Sequence, residues 1–358
     1  VALQLEPSGS VFVCFGARVP HRSTAISSIR LNGKPALSAE PAKKVSIKIE
    51  KATYGVLGDP ARTRDVKAKA QAIVENTGPT FKVAELARGD DPAYGTVKTA
   101  IIEYTIDGKR ATVKGTDPET ISLARTEGKT PVCELTSAGL VAWQPGRYAI
   151  TTATGRKTQA NIALLPKPLE ITGPWDITFN SGSSKEAAKS VHSAELASWS
   201  DNTDPDIKYF SGTAAYRAVF DIPKDLIRSD RVFRLDLGDV RVMAQVRLNG
   251  KDLGTLWKPP FAIDVTDAIR PGTNYIQVKV ANLWINRLIG DEQLPEDSER
   301  NPNGTLKAWP QWLLEGKPSP TGRQTFTSWR MWGKDDALQP SGLLGPVSIT
   351  VGKKIAVP

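Results

Sequence analysis

Residues 257–332 of this 358-residue chain include side chains that are suited to binding a sugar. Tryptophan rings offer apolar area with a polar edge, and planar amide and guanidinium groups can make paired hydrogen bonds. A sugar has a matching apolar face and a rim of hydroxyl groups, so this mixture indicates a carbohydrate site. The candidate carbohydrate-binding residues are Trp257, Trp284, Asn286, Trp309, Trp312, Arg323 and Trp329.

The same region also allows a purely structural interpretation. In the stretch ANLWINRLIGDEQLP (residues 281–295), Arg287 precedes Asp291 and Glu292 by four and five residues. That spacing lets a loop fold back, so that a carboxylate receives the guanidinium group in a two-pronged hydrogen bond. We expect Arg287 to fasten the loop with Asp291 or Glu292. Tryptophans of a sandwich are also commonly buried, so both interpretations stay open at this point.

Motifs of known catalytic classes are absent from the sequence. The two histidines, His21 and His192, lie neither in a metal-ligand pattern nor near a nucleophile motif. The stretch EGKT at residues 127–130 lacks the upstream glycine of a phosphate loop. A glycosidase uses two carboxylates defined by their separation in space, which no local motif marks. The sequence therefore nominates no catalytic residue, no metal ligand and no cofactor in this chain.

The basic character of the chain has two interpretations. The net charge is +9, but lysines and arginines are spread along the chain in runs of at most two. No nucleic-acid-binding motif accompanies them, and no apolar run approaches the length of a membrane span. A solvated basic surface explains the charge, and attraction to an acidic polysaccharide is the more specific interpretation. We predict neither a nucleic-acid partner nor a membrane partner.

The two cysteines, Cys14 and Cys133, are too few for a disulfide scaffold. Cys14 alternates with apolar neighbours in VFVCF, which favours a buried thiol. A bond between the two would need the strand around Cys14 to pack on the following domain, and the sequence leaves this open.

The elements that would position these residues are predominantly strands. Apolar and polar residues alternate with period two through much of the chain, and turn residues separate many short segments. Asp107-Gly108 and Asn249-Gly250 are predicted at hairpin tips with type I′ turns. The predicted fold class is all-β, with two β-sandwich modules.

Two segments have less clear patterns. Strict alternation in VKAKAQAIV (residues 66–74) favours a strand despite its alanines. The stretch SKEAAKSVHSAELASW (residues 184–199) is the one helical candidate, with a loop as the alternative.

We predict four parts along the chain. Residues 1–16 are expected to be the closing strand of an upstream domain, and residues 17–44 a connection. A small β-sandwich module spans residues 45–165, and LPKPLE (residues 165–170) is the linker to a second module over residues 170–353. We expect the chain to be a fragment or a processed product, because it begins within a strand. Its compartment signal would then lie elsewhere.

Three motifs of the second module resemble a known family. They are YFSGTAAYRAVFDIP, LGDVRVMAQVRLNGKDLGTLWKPPFAIDVTDAIRPGTNYIQVKVANLWINRLIGDEQLP and TFTSWRMWGKDDALQPSGLLGPVSIT. Together they look like the sugar-binding, galactose-binding-like jelly roll of family 2 type glycoside hydrolases, in the version found at the C-terminus of family 106 α-L-rhamnosidases. IEKATYGV, RDVKAKAQAIVENTG and RGDDPAYGTVKTAIIEYTIDGK resemble the small β-module that precedes that jelly roll. The resemblance covers nearly the whole chain, since LEPSGSVFVCF also looks like the strand closing the preceding region.

The resemblance implies that this chain is an accessory region. In family 106 the catalytic acids lie on a (β/α)8 barrel upstream of the matching region, with a calcium ion near the active site. This sequence has no alternating βα pattern, and its matching positions are accessory ones. The parent is then expected to be an inverting α-L-rhamnosidase, periplasmic or secreted, acting on a rhamnose-containing glycan. The partner of this chain would be that catalytic barrel, and the chain alone would hydrolyse nothing.

Three functions compete. The leading hypothesis is the non-catalytic C-terminal region of an α-L-rhamnosidase, which supports the barrel and contacts sugar. The second is an independent carbohydrate-binding module for acidic polysaccharide, and the third is an accessory part of a family 2 type β-glycosidase. The first predicts an exposed apolar patch where the barrel packs, whereas the second predicts a groove lined by exposed tryptophans.

Overall fold

The all-β fold class predicted from the sequence is confirmed, because strands make up 45% of the structure and helices 13%. The predicted closing strand over residues 1–16, which includes Cys14, lies outside the described residues, and so does His21. No helix in the described ranges is long and apolar enough to cross a membrane. The structure is a computed structural model, and it describes residues 26–37, 46–106, 109–117, 119–123, 131–136, 139–180 and 188–357.

The strands and helices are numbered along the described parts of the chain. The first twelve strands are β1 (Ile26–Leu31), β2 (Lys34–Leu37), β3 (Ile47–Gly55), β4 (Thr63–Asp65), β5 (Thr80–Lys82), β6 (Thr99–Ile106), β7 (Lys109–Thr116), β8 (Thr120–Ser122), β9 (Cys133–Thr136), β10 (Gly139–Ala142), β11 (Gly146–Thr152) and β12 (Lys157–Ile162). The next twelve are β13 (Leu169–Glu170), β14 (Trp175–Asn180), β15 (Lys189–Ser193), β16 (Thr213–Ile222), β17 (Arg231–Asp236), β18 (Asp239–Arg241), β19 (Met243–Leu248), β20 (Lys251–Leu256), β21 (Ala262–Asp264), β22 (Gly272–Ala281), β23 (Gly342–Gly345) and β24 (Ser348–Ile355). The α-helices are α1 (Lys67–Thr77), α2 (Pro205–Lys208), α3 (Ile285–Asp291) and α4 (Gln311–Leu314).

Contacts between residues divide the chain into two units. The first unit comprises residues 1–40, 128–286 and 338–358. The second unit comprises residues 41–127 and 287–337.

The first unit is built around a sandwich of two antiparallel sheets. One sheet has the strand order β15-β14-β16-β22-β19-β20, and the other has the order β21-β17-β24-β10-β9, with β13 also paired to β24. The alternation of β16 explains how the core forms, because Tyr216, Ala218 and Phe220 are buried while Arg217 and Val219 are exposed. Residues of both sheets meet in one hydrophobic core.

A second core in the same unit shares a strand with the first. The sheet β12-β11-β1-β2 contributes Ile29 and Tyr148 to this core, and β10 contributes Leu140. Ile349 of β24 lies in the first core, whereas Ile355 of the same strand lies in the second. β24 is therefore part of both cores.

The second core also contains Cys133. This side chain is a buried free thiol, and burial raises its pKa to about 11. A high pKa keeps the thiol protonated at neutral pH, so Cys133 behaves there as a small apolar side chain.

Two segments expected to be connections belong to sheets. The described part of the predicted connection over residues 17–44 forms β1 and β2, and β1 pairs with β11. The predicted linker over residues 165–170 ends in β13, where Leu169 pairs with Ile349. β1 and β2 pair locally, but β11, the other partner of β1, and β24, the partner of β13, lie far away in the sequence, so local composition did not reveal these pairings.

In the second unit, residues 46–123 combine the sheet β4-β3-β6-β7 with one helix. The predicted strand over residues 66–74 is wrong, because α1 begins there at Lys67. Val66, Ala70 and Val74 recur every four residues and pack on the hydrophobic core, as expected for one face of a helix. The helix-favouring alanine, lysine and glutamine residues of this segment outweigh its accidental alternation.

The turn predictions have separate outcomes. Asn249 and Gly250 have φ angles of 52° and 84°, so the predicted type I′ turn between β19 and β20 is confirmed. Asp107-Gly108 lies outside the described residues, although the flanking strands β6 and β7 pair as expected. The helical candidate over residues 184–199 is wrong in its described part, which forms β15 and a short 3-10 turn.

Candidate functional site

Residues 287–337, here called the tryptophan segment, include Trp309, Trp312 and Trp329 together with several ion pairs. The segment begins within α3 and contains the four-residue helix α4. Outside these helices, side chains repeatedly bind its backbone and its other side chains. Its shape therefore depends on these side-chain contacts.

Asp291 is the buried centre of the first group of contacts. Its Oδ1 lies 3.0 Å from Nε of Arg287, one helical turn earlier, and its side chain is only 3% exposed. Its Oδ2 accepts hydrogen bonds from the backbone N–H of Gln324 at 3.0 Å and of Thr325 at 2.7 Å, and from the Thr325 hydroxyl at 2.6 Å. Asp291 thus fastens α3 to residues 324–325.

Glu292 bridges two arginines instead of pairing with Arg287. Its Oε1 accepts from an Nη atom of Arg323 at 2.8 Å, and its Oε2 lies 3.1 Å from Nε of Arg330. Glu296 contacts Arg330 as well. The two contacts of Glu292 are charge-assisted, and its own side chain is largely buried, so its carboxylate serves to hold the segment together.

Arg323 is a structural anchor in this arrangement. Its side chain is 6% exposed, and its donors also reach the backbone carbonyl oxygens of Pro295 at 2.9 Å and Leu294 at 3.0 Å. The sequence-based assignment of Arg323 to a sugar site is therefore not supported by its position, because its donors bind groups of the protein itself.

Asn286 is likewise buried, at 1% exposure. Its amide nitrogen donates to the carbonyl oxygen of Gln339 at 2.7 Å and to the Ser341 hydroxyl at 3.1 Å, and its amide oxygen accepts from the Gln339 N–H at 2.7 Å. Asn286 fixes the segment that leads into β23 within the first unit, and it is not presented to a ligand.

A small cavity lies among the ion pairs of the tryptophan segment. Its volume is about 40 Å³, which holds a few water molecules and is too small for a sugar ring. Arg300, Arg323 and Arg330 line it together with Asp291, Glu292 and other residues. Burial lowers the pKa of the Arg300 guanidinium group, and the nearby charge of Arg330 adds to this effect.

The tryptophans of the segment are arranged around Phe326. The ring of Trp309 lies 5.8 Å from that of Phe326 at an interplanar angle of 35°, and Trp312 packs edge-on against the same ring. Trp312 also donates its indole N–H to the carbonyl oxygen of Asp297 at 2.9 Å, so it is mainly a packing residue. Trp309 differs because 59% of it remains exposed.

An open groove of about 250 Å³ lies beside Trp309. It is lined by Thr305, Leu306, Lys307, Ala308, Trp309 and Ser328. Its volume is near the lower end of the range for small-molecule sites, roughly 300–1,000 Å³. Trp329 lies next to Ser328, is partly exposed, and donates its indole N–H to the carbonyl oxygen of Asn303 at 2.9 Å. Trp309 is thus the candidate tryptophan that lines the groove.

Trp257 and Trp284 belong to the first unit. Their side chains are 62% and 65% exposed, in the segments that follow β20 and β22. Each is available for contact with another molecule, but neither is among the residues that line the groove.

The carboxylates and the histidine of the described ranges are the remaining groups that could take part in chemistry. No group of three or more His, Cys, Asp or Glu side chains in the described ranges could hold a metal ion. Burial raises the pKa of the Asp336 carboxyl group, whose Oδ2 accepts from the Gly333 N–H at 2.7 Å. His192 is exposed on β15, with Nδ1 2.8 Å from Oδ1 of Asp176 on the neighbouring strand.

Sequence reasoning missed Arg300, Phe326 and the groove residues Thr305, Lys307 and Ser328. Arg300 donates to the carbonyl oxygens of Gly304 at 3.0 Å and of Thr327 at 2.7 Å, and so joins the two segments that border the groove. These residues form no local motif, since they fall in two separate stretches of irregular backbone, residues 300–307 and 326–328. The density of aromatic residues was the available signal, and it located the region but not the groove.

Comparison with known proteins relates the chain to glycoside hydrolases. No protein-family model matches it. It is 38% identical over 290 residues to the protein named "Putative beta-glucuronidase" of Formosa agariphila. This match covers 80% of the chain and 24% of the relative, so the chain spans about a quarter of that relative's length.

Two solved structures are also similar. The rhamnosidase from Novosphingobium sp. PP1Y aligns with a TM-score of 0.42 and 23% identity, covering 72% of this chain and 23% of the rhamnosidase. The β-glucuronidase from Ruminococcus gnavus aligns with a TM-score of 0.31 and 16% identity, covering 52% of this chain and 29% of that enzyme.

Proposed function

We propose that this chain is a non-catalytic, sugar-contacting region of a glycoside hydrolase. The observation that carries the proposal is the 38% identity over 80% of the chain to about a quarter of a much longer relative. A region of this kind contributes sandwich domains that support a separate catalytic domain. In this proposal the sandwich of the first unit is a galactose-binding-like jelly roll that packs on a catalytic (β/α)8 barrel.

The contacts of the acidic residues support a non-catalytic role. A glycosidase needs one carboxyl group that can give up a proton and a second carboxylate across the scissile bond. Asp291 and Glu292 are instead held by arginines and by backbone N–H groups, beside a cavity too small for a sugar. We therefore assign the catalytic acids, and the calcium ion expected from the resemblance, to the barrel.

The parent enzyme that we favour is an α-L-rhamnosidase acting on a rhamnose-containing glycan in the periplasm or outside the cell. The three motifs of the second predicted module support this choice, since together they resemble family 106. A β-glucuronidase is the second candidate, because the Formosa agariphila relative is named as one.

The proposal is tested by assaying the chain and its parent protein side by side. We expect the 358-residue chain to release no product from aryl α-L-rhamnosides or aryl β-D-glucuronides, and the parent to hydrolyse one of them. The released sugar distinguishes the two candidate parents. Turnover by the purified chain that disappears in Asp336→Asn, the variant of its buried carboxyl group with a raised pKa, would overturn the non-catalytic assignment.

A further inference from the structure

The groove beside Trp309 has walls that are held in place by backbone contacts. Leu306 N–H donates to the carbonyl oxygen of Ser328 at 3.1 Å, and Arg330 N–H donates to that of Gly304 at 3.0 Å. Arg300 also donates hydrogen bonds to the carbonyl oxygens of Gly304 and Thr327. The groove is therefore preformed, and a ligand would not have to order it on binding.

Trp309 provides a ring face that can stack on a ligand. Phe326 supports the ring, and Trp312 in turn packs against Phe326. Since 59% of Trp309 is exposed, the side of the ring away from Phe326 is open to solvent. An aromatic ring supported from behind and open in front suits the apolar face of a pyranose ring.

Lys307 is the only charged residue among the six that line the groove. Its ammonium group lies 3.5 Å from Glu299 Oε2, but both side chains are more than half exposed, at 54% and 83%. Such an exposed pair is weak and exchanges readily with other partners. A carboxylate on a bound sugar would therefore find an accessible cation, while the hydroxyl group of Ser328 can bind its rim.

We propose that this groove is a subsite for one acidic sugar residue, a hexuronate whose ring stacks on Trp309 and whose carboxylate pairs with Lys307. The inference rests on the proposed function and narrows it to glycans that carry uronic acid. Ser328 contributes the polar contact that orients the ring, whereas the Thr305 hydroxyl is engaged by Asn301 and Asn303 and fixes the wall of the groove.

The test uses the 358-residue chain and a defined acidic probe. The probe is an alternating rhamnose–galacturonate hexasaccharide, and its carboxyl-reduced form is the neutral counterpart of the same length. Isothermal titration should give tighter binding of the acidic form by about threefold, the size expected of one exposed ion pair. Raising the NaCl concentration from about 50 mM to about 300 mM should remove most of that difference.

Two substitutions separate the stacking contact from the charge. Trp309→Ala should weaken binding of both probes by about tenfold, because both present a ring face. Lys307→Met keeps the apolar stem and should abolish only the preference for the acidic probe. Lys317→Met and Leu314→Ala are the controls, since each removes a more exposed side chain from the same segment without touching the groove.

The outcomes of these binding experiments are distinct from the outcomes of the assays that test the proposed function. If neither probe binds, if Trp309→Ala binds as the unsubstituted chain does, or if both probes bind equally tightly, the uronate subsite is overturned. The hydrolysis assays on the parent protein stand apart from each of these results. If the thermal melt of Trp309→Ala matches that of the unsubstituted chain, a loss of binding is not caused by unfolding of the variant.

Discussion

Arg287 and Asp291 form a buried ion pair within one turn of α3, with Nε 3.0 Å from Oδ1. The second oxygen of the same carboxylate receives two backbone N–H groups and a hydroxyl from residues 324–325. Arg287 therefore neutralises the carboxylate of Asp291, and residues 324–325 depend on that carboxylate for their hydrogen bonds. If Arg287 is removed, Asp291 stays buried without its cation.

Arg287→Ala should lower the free energy of unfolding by about 3 kcal/mol or more, the usual effect of breaking a buried pair from one side. Arg287→Lys should recover part of this, since it restores the charge but not the geometry of the guanidinium group. Arg247→Ala is the matched control, because Arg247 pairs with Asp252 at 3.4 Å on the surface and should contribute less than about 1 kcal/mol. Urea unfolding of the three variants checks the order, and equal effects of Arg287→Ala and Arg247→Ala would contradict it.

Lys98 is a second buried cation whose removal should be costly. Its Nζ lies 3.2 Å from Asp91 Oδ1 and 3.0 Å from Asp117 Oδ2, and its side chain is almost fully buried. Lys98→Met leaves two carboxylates without their cation, and we expect a loss of roughly 3–5 kcal/mol. Hydrogen exchange of the amides in β3 and β6 measures this loss locally. Lys48→Met, in an exposed pair, should change these exchange rates little.

Alanine substitutions at Gly342 and Gly254 distinguish the effect of a steric clash from the effect of backbone strain. Their φ angles are nearly equal, at +105° and +103°, so an added Cβ strains the backbone at both positions. At Gly342 that Cβ would also lie 2.4 Å from Nε1 of Trp199 and 2.6 Å from the hydroxyl of Tyr216. Thermal melts should show that Gly342→Ala is less stable than Gly254→Ala by about 1–3 kcal/mol, the usual effect of overpacking a core. Equal melting temperatures would contradict the packing described for this position.

Tyr216 should make the first unit sensitive to alkaline pH. Burial raises the pKa of its hydroxyl group to about 12, above the value of about 10 expected in the unfolded chain. The folded state thus holds this proton more tightly, and the resulting stability is present below pH 10 and lost as the pH rises towards 12. The decline should approach about 1.4 kcal/mol per pH unit from this group.

Tyr216→Phe tests that assignment. At neutral pH it should cost about 1–3 kcal/mol, because the Trp199 indole N–H and the Leu343 N–H lose their acceptor. Between pH 10 and 12, denaturant midpoints should fall less steeply in the variant than in the unsubstituted chain. An unchanged slope would assign the alkaline loss to other groups.

Much of the strand content could be predicted from the sequence because alternation records which face of a strand is buried. The turn at Asn249-Gly250 was equally legible, since both residues tolerate the left-handed conformation that a type I′ turn needs. The helix α1 was missed because an accidental alternation coincided with a spacing of four between Val66, Ala70 and Val74. Apart from the two predicted hairpins, strand partners were not predictable, since those pairings depend on segments far apart in the chain.

The candidate site could be predicted only in part from the sequence, for a related reason. Residue types drew attention to the aromatic and charged groups of the tryptophan segment, but they could not tell a buried Arg323 from an exposed Lys307. That difference depends on which carbonyl groups and carboxylates the irregular backbone brings near each side chain. The buried position of Asn286 follows from its contacts with Gln339, more than fifty residues later.

β24 also has a kinetic consequence. It pairs with β17 about one hundred residues earlier and with β10 about two hundred residues earlier, and such distant pairings form slowly because long loops must close first. Ile349 and Ile355 complete different cores, so neither core is finished until this one strand is in place. During synthesis, β17 and β10 would therefore keep open edges until β24 docks between them, and such edges can pair with strands of other chains. Any treatment that delays the docking of β24 should promote aggregation before it alters the equilibrium stability of the folded protein.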